Sequence, residues 1–354
     1  MDVLDHEYLG MGVKIQQFEE ALKVFFGRPA VCVVNGTSAL HLALQSCEIG
    51  IDDEVLVPSL TYIASFQSIS ANGSKPIACD ISKETCLLDL ADAEKRITAK
   101  TKAIMPVHYT GGVGDLKAVY KFANKYSLRV IEDAAHAFGT TYRDRRIGSF
   151  GDVACFSFDG IKNITSGEGG CIVTDNEDVL LKVRDARLLG VEKDTDQRFK
   201  RKRSWEFNVT DQGWRFHMSN IMAAIGIEQL KRFSEFAEKR RELAKHYDQL
   251  FKSHSVIQPV PRDYDNVVPH IYVVKIDGMK NRKEIQQIML EKGIQVGYHY
   301  QPNHWLRFFQ DYQQNPLPVT DSVFPELLTL PLHPDVSGAD VEFIAFELMN
   351  AVTD

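Results

Sequence analysis

Between residues 30 and 175 short apolar or β-branched runs alternate with longer stretches of helical period. Residues 30–34, 55–58, 76–79, 103–107, 130–131, 154–158 and 171–174 read as strands, bounded by polar or glycine-bearing turns. Ala39, Leu40, Ala43, Leu44 and Cys47 fall on one face of a helix that opens at Asn35-Gly36-Thr37-Ser38, and Leu116, Val119, Tyr120, Ala123 and Tyr126 mark another. The alternation predicts βα units around a mainly parallel sheet with both faces covered. From residue 192 to 215 the pattern breaks into a polar, strongly charged stretch. Ser219 then caps a helical run from 220 to about 252, rich in Lys, Arg and Glu. Residues 267–276, 281–292 and 294–300 read as strand, helix and strand, and 340–352 as a terminal helix. A boundary near residue 235 therefore separates a large α/β domain, 1–235, from a smaller C-terminal α+β domain, 236–354.

The length of 354 residues fits two such domains. With 44% apolar and 25% charged residues, disorder, collagen-like repetition and a disulfide scaffold are excluded. The 41 basic and 48 acidic side chains leave a net charge of −7, which disfavours nonspecific binding to nucleic acid or to an anionic membrane and points to a small-molecule partner. Six scattered cysteines, Cys32, Cys47, Cys79, Cys86, Cys155 and Cys171, form no CxxC pair and read as buried free thiols of a reducing compartment. No Cys/His spacing resembles a zinc site, so no metal is expected. Residues 1–6 show no basic segment followed by an apolar one, and no run approaches a membrane span; cytoplasm is the expected location.

Three segments put polar groups at the carboxyl ends of predicted strands, where open α/β sheets bind ligands. Asn35-Gly36-Thr37-Ser38 opens a helix whose N–H groups and positive dipole end suit a phosphate, although taken alone a hydroxyl at Thr37 or Ser38 is more simply an N-cap. In Val130-Ile131-Glu132-Asp133-Ala134-Ala135-His136 two acids follow a buried strand, and an acid there can hold a protonated ring nitrogen, ligate a metal or accept a ribose hydroxyl. In Cys155-Phe156-Ser157-Phe158-Asp159-Gly160-Ile161-Lys162, ahead of the flexible Ser166-Gly167-Glu168-Gly169-Gly170, a lysine near a strand end in apolar surroundings is suited to act as a Schiff-base nucleophile.

Phosphate cradle, aspartate and lysine in that order resemble the pyridoxal phosphate enzymes of the aspartate aminotransferase fold, fold type I. Residues 35–44 (Asn-Gly-Thr-Ser-Ala-Leu-His-Leu-Ala-Leu), 53–59 (Asp-Glu-Val-Leu-Val-Pro-Ser), 132–137 (Glu-Asp-Ala-Ala-His-Ala) and 148–152 (Gly-Ser-Phe-Gly-Asp) are similar to the DegT/DnrJ/EryC1/StrS sugar aminotransferases over nearly the whole chain. The resemblance implies pyridoxal 5'-phosphate (PLP) as cofactor, with pyridoxamine phosphate (PMP) as its intermediate form. It implies that Lys162 binds the cofactor covalently and then moves a proton, and that Asp133 pairs with the ring nitrogen. Gly36, Thr37, Ser38 and Ser157 would surround the phosphate, Tyr62 would stack on the ring, and His136 would lie beside the phenolic oxygen where many relatives carry Gln.

Arg215, where many relatives have Asn, would reach the cofactor phosphate of a neighbouring subunit, making the working unit a homodimer with shared active sites. His304 and His299, in Tyr298-His299-Tyr300-Gln301-Pro302-Asn303-His304, would stand on the substrate side. The basic run Arg198, Lys200, Arg201, Lys202 and Arg203 would attract a nucleotide diphosphate at the pocket mouth. The implied reaction moves the amino group of L-glutamate, leaving 2-oxoglutarate, to a nucleotide-linked keto-deoxysugar. Tyr8-Leu9-Gly10-Met11-Gly12 and the 299–304 segment look more like relatives acting at C4 of a 4-keto-6-deoxyhexose than at C3. Relatives usually carry a further stretch before this opening, so the chain starts late in the shared pattern. Lys162 argues against the dehydratase branch, which has histidine there; Lys162 and Asp133 together argue against a noncatalytic binding protein or regulator. Gly111-Gly112-Val113-Gly114 lacks the spacing of a dinucleotide-binding turn.

Overall fold

The computed structural model describes residues 2–5, 8–202, 205–279, 281–312 and 315–353. Seven strands form the main sheet: β1 (Ala30–Val33), β2 (Glu54–Pro58), β3 (Lys75–Cys79), β4 (Thr101–Ile104), β5 (Arg129–Asp133), β6 (Val153–Ser157) and β7 (Gly170–Val173), in the order β1-β7-β6-β5-β4-β2-β3. Strands β2 to β6 pair in parallel, while β7 is antiparallel to both its neighbours. The reversal has a local cause: no crossover helix joins β6 to β7, so the chain can only return in the opposite direction. Lys162 lies on that return loop.

Every residue of β1, β6 and β7 is buried, as expected for strands covered on both faces. Side chains alternate between two cores with the strand period of two. Val31 and Val33 face the core shared with α2 (Gly36–Ser46), α3 (Ile63–Ala71) and α5 (Glu177–Ala186), numbering α1 (Val13–Phe26) and α4 (Leu116–Tyr126) in chain order. Ala30 and Cys32 face the opposite core, where Phe18, Leu22 and Phe26 of α1 meet Phe138, Phe156 and Phe158. All six cysteines are buried and unpaired. Among the described residues no helix is long and apolar enough to cross a membrane.

The long helix α6 (Asn220–Phe251) begins where the Ser219 hydroxyl accepts a hydrogen bond from the Met222 amide at 3.3 Å. Ala223, Phe233 and Ala237 pack in the large-sheet core; Leu243, Ala244, Tyr247 and Phe251 pack in a second one. That core covers the antiparallel sheet β8 (Ile257–Pro259), β9 (Tyr272–Ile276) and β10 (Leu327–Leu330), with α7 (Arg282–Glu291) and α8 (Gly338–Thr353). Residues 303–312 and 315–317 return to the large sheet, where Phe309 and Leu317 are buried.

Two sequence expectations change here. The run 267–276 becomes a strand only from Tyr272, and 294–300 does not form one. Gly297 alone pairs with Thr329, exchanging two backbone hydrogen bonds, after which His299 and Tyr300 turn toward the main sheet and the Tyr109 hydroxyl donates to the His299 carbonyl. The third strand is instead β10, a four-residue apolar run following Phe324-Pro325-Glu326, too short for its period to stand out.

Candidate active site

The carboxyl ends of β1, β2, β5 and β6 converge on a cavity of about 460 Å3. Of the residues singled out from the sequence, Gly36, Thr37, Tyr62, Asp133, His136, Ser157, Lys162 and His299 line it. Asn35, not Thr37 or Ser38, caps α2: its Oδ1 accepts from the Ser38 amide at 2.8 Å. The first-turn hydroxyls are thereby left out of capping, and the helix N-terminus faces the cavity through Gly36 and Thr37. Gly36 approaches β6 so closely that a Cβ there would meet Ser157 Cβ at 2.8 Å.

Asp133 ends β5 in a buried setting. Its Oδ2 accepts from Ser65 Oγ at 2.7 Å, Ser65 Oγ lies 3.0 Å from Thr61 Oγ1, and its Oδ1 accepts from the Ala135 amide at 3.2 Å. These donors fix the carboxylate toward the cavity floor. Across from it, Asp159 shapes the loop that carries Lys162: its carboxylate accepts from the Ile161 amide and its carbonyl from the Lys162 amide. Burial pushes the Lys162 ammonium below its ordinary value, with Asp133 and Asp159 pulling the other way. Its Nζ lies 3.3 Å from His270 Nε2.

His136 shares a hydrogen bond of 3.0 Å with the Tyr300 hydroxyl, and burial holds the imidazole well below its ordinary value, reinforced by Lys162. His299 Nδ1 meets Thr329 Oγ1 at 2.9 Å; burial beside Lys162 brings it down to about 4. Tyr62 is 55% exposed at the rim, its ring 5.3 Å from that of Tyr300. The arrangement offers an amine whose charge is disfavoured by burial, a fixed carboxylate, a helix N-terminus with hydroxyls, and neutral imidazoles around one space.

The structure does not bring the remaining predicted residues to this cavity. Ser38 is buried just behind it. Both ring nitrogens of His304 are engaged, Nδ1 with Ser59 Oγ at 2.7 Å and Nε2 with Asp321 Oδ1 at 2.9 Å. Arg215 is exposed on a backbone bridge to Leu188, away from the lining residues. In the basic run, Arg198 pairs with Asp194 at 2.9 Å, Lys200, Arg201 and Lys202 are exposed outside the lining, and Arg203 lies outside the described residues. Sequence reasoning missed Ser65, His270 and Tyr300. Tyr300 sits inside the quoted 298–304 segment; Ser65 and His270 carry no signal in the one-dimensional pattern.

The profile of the DegT/DnrJ/EryC1/StrS aminotransferase family matches residues 1–349. The chain is 34% identical over 362 residues to the spore coat polysaccharide biosynthesis protein SpsC of Bacillus subtilis, covering all of this chain and 92% of SpsC. It superimposes at a TM-score of 0.91 on Helicobacter pylori PseC, an aminotransferase involved in the biosynthesis of pseudoaminic acid, with 28% identity over 99% of this chain and 94% of PseC. A TM-score of 0.89 relates it to NtdA of Bacillus subtilis, solved with bound cofactor PMP, at 28% identity over 100% of this chain and 80% of NtdA. The chain belongs to the DegT/DnrJ/EryC1/StrS aminotransferase family and is a PLP-dependent sugar aminotransferase of fold type I.

Proposed function

We propose that the enzyme moves the amino group of L-glutamate to a nucleotide-linked 4-keto-6-deoxyhexose, carried by dTDP, UDP or GDP, to give a 4-amino-4,6-dideoxy sugar. The observation that carries the reading is the convergence of Lys162 and Asp133 on one cavity with the N-terminus of α2. The residues fit PLP. Gly36 keeps the space between α2 and Ser157 clear, as close approach of a phosphate needs, and Thr37 and Ser157 supply hydroxyl donors there. Asp133 is a buried acid suited to a ring nitrogen, and Lys162 is a half-buried amine suited to a carbonyl carbon. When bound, PLP supplies the electron sink through which an amino group leaves glutamate and enters the sugar ketone.

Each side chain then has a task. Lys162 takes a proton from the amino acid carbon and returns one to the sugar carbon, a role favoured by the burial that pushes its Nζ below the ordinary lysine value. Asp133 keeps the ring nitrogen protonated, held in place by Ser65 and the Ala135 amide. Thr37 and Ser157 hold the phosphate, Tyr62 covers the ring at the open side, and His136 donates toward the phenolic oxygen. His299 is the substrate-side imidazole that faces the cavity, whereas His304 braces Ser59 against Asp321. Arg215, exposed and off its own cavity, serves the phosphate of a second copy, which makes a homodimer the working unit.

The test is incubation with L-glutamate and dTDP-, UDP- and GDP-linked 3-keto and 4-keto sugars, followed by identification of the aminated products. Amination at C4 with release of 2-oxoglutarate is expected. Products aminated only at C3 overturn the regiochemistry, and no product from any of these sugars overturns the substrate class.

A further inference from the structure

We propose that His270 is a positioning residue for Lys162: protonated on Nε2, it donates a hydrogen bond to the Lys162 amine and holds it neutral and fixed in direction. The inference rests on Lys162 being the lysine that binds the cofactor. His270 is 2% exposed, and its Nε2 lies 3.3 Å from Lys162 Nζ. Two arrangements satisfy that distance. In one, the lysine nitrogen donates to a bare Nε2 and the ring proton sits on Nδ1; in the other, Nε2–H donates to the lone pair of a neutral amine.

Nδ1 decides between them. It is buried and, among the described residues, has no hydrogen-bond partner. A proton on Nδ1 would be a buried donor with nothing to accept it, the rarer and costlier kind of orphan, whereas the Nε2–H tautomer leaves only an unused lone pair there. The doubly protonated ring is disfavoured by burial and by the positive charge of Lys162 and Arg240 nearby. A donor aimed at Nζ stabilises the neutral amine, the form able to attack a carbonyl or take a proton.

The ring is built into place. Arg240 Nη1 donates to the His270 carbonyl at 3.0 Å and to the Leu332 carbonyl at 2.9 Å. Asn163, next to Lys162, donates from Nδ2 to the Phe138 and Val268 carbonyls, tying the lysine loop to the segment that carries His270. The His270 ring also packs on His136, centroids 4.4 Å apart. The charged or titratable groups facing the pair are Asp133 and Asp159 on the lysine side, and His136, His299 and Arg240 on the histidine side. The two acids favour the ammonium, so the histidine donor acts against them.

The experiment uses the whole 354-residue chain freed of cofactor. Histidine labelled with 15N, with the His270 signal assigned by its loss in His270→Leu, or in His270→Gln where the leucine variant does not fold, is expected to show the Nε2–H tautomer at pH 8. An Nδ1–H or imidazolium signal overturns the proposal. Competitive acylation of Lys162 across pH 6–11, read by mass spectrometry of its peptide, is expected to show the midpoint rising in folded His270→Leu by about one pH unit, a roughly tenfold loss of labelling at pH values well below the wild-type midpoint. An unchanged midpoint also overturns it. Borohydride trapping of PLP on the wild type separates the underlying reading: a label on a different lysine removes Lys162 from the cofactor and leaves the hydrogen-bond result standing.

Discussion

A carboxylate held by two donors is better oriented than a free one, and Asp133 is held so by Ser65 Oγ at 2.7 Å and the Ala135 amide at 3.2 Å. Ser65→Ala removes one donor without touching the cavity lining. Its kcat is expected to fall roughly threefold to tenfold with the glutamate KM little changed, the worth of one net hydrogen bond, while PLP remains bound. Asp133→Asn removes the charge itself, and kcat should fall further, by roughly one to two orders of magnitude, again with cofactor retained on spectral titration. A Ser65→Ala enzyme as fast as the wild type would show that the Ala135 amide alone suffices. Lys162 and Asp133 were singled out in the sequence because they follow or end recognisable strands, where ligand sites of open sheets fall, and Ser157 because its segment resembles the family's. Ser65 and His270 were not, because each acquires its meaning from a partner far along the chain: Ser65 reaches Asp133, and His270 reaches Lys162.

The site-forming elements differ from the structural ones in what their ends do. The N-terminus of α2 is capped by Asn35 and presses Gly36 against Ser157, whereas that of α6 is capped by Ser219 away from the lining residues. Gly36→Ala places a Cβ 2.8 Å from Ser157 Cβ, so the turn or β6 must shift where the phosphate is held. PLP affinity, measured by the concentration needed to restore absorbance to the apoprotein, is expected to weaken at least tenfold. Ser219→Ala should instead lower unfolding stability by about 1 kcal/mol and leave PLP affinity unchanged. Equal affinities in both variants would remove Gly36 from the phosphate site. The strands of the large sheet were readable as short apolar runs because burial on both faces erases polar alternation. Around the three-stranded sheet that signal fails: residues 294–300 look like a strand, yet past Gly297 the chain turns to carry His299 and Tyr300 into the cavity, and the strand falls to the brief Leu327–Leu330.

Over the whole molecule, half-buried imidazoles contribute to the response to acid. His217 and His299 sit at about 4 in the fold, chiefly through burial, against an ordinary value of 6.5. Between those values the unfolded chain binds more protons than the folded one, so apoprotein stability falls as pH drops from about 6.5 toward 4 and is indifferent to these groups above. Urea midpoints should be lower at pH 5 than at pH 7.5, and the gap should narrow in a His217→Asn, His299→Asn double variant. A second whole-molecule property follows from the placement of Arg215, exposed and apart from the cavity that holds Lys162. If Arg215 serves the neighbouring copy, Lys162→Ala and Arg215→Ala damage the same site only when both lie in sites built from unlike chains. Each variant alone should be weak or inactive, because every site in its homodimer lacks one residue. In a mixed dimer one site collects both lesions and the other collects neither. Random re-association of equal amounts makes about half of the dimers mixed, each with one intact site of two, so activity should recover to about a quarter of the wild type. Arg215 acting within its own chain predicts the opposite: each mixed dimer then holds one lysine-deficient and one arginine-deficient site, and mixing restores nothing beyond the average of the two parents.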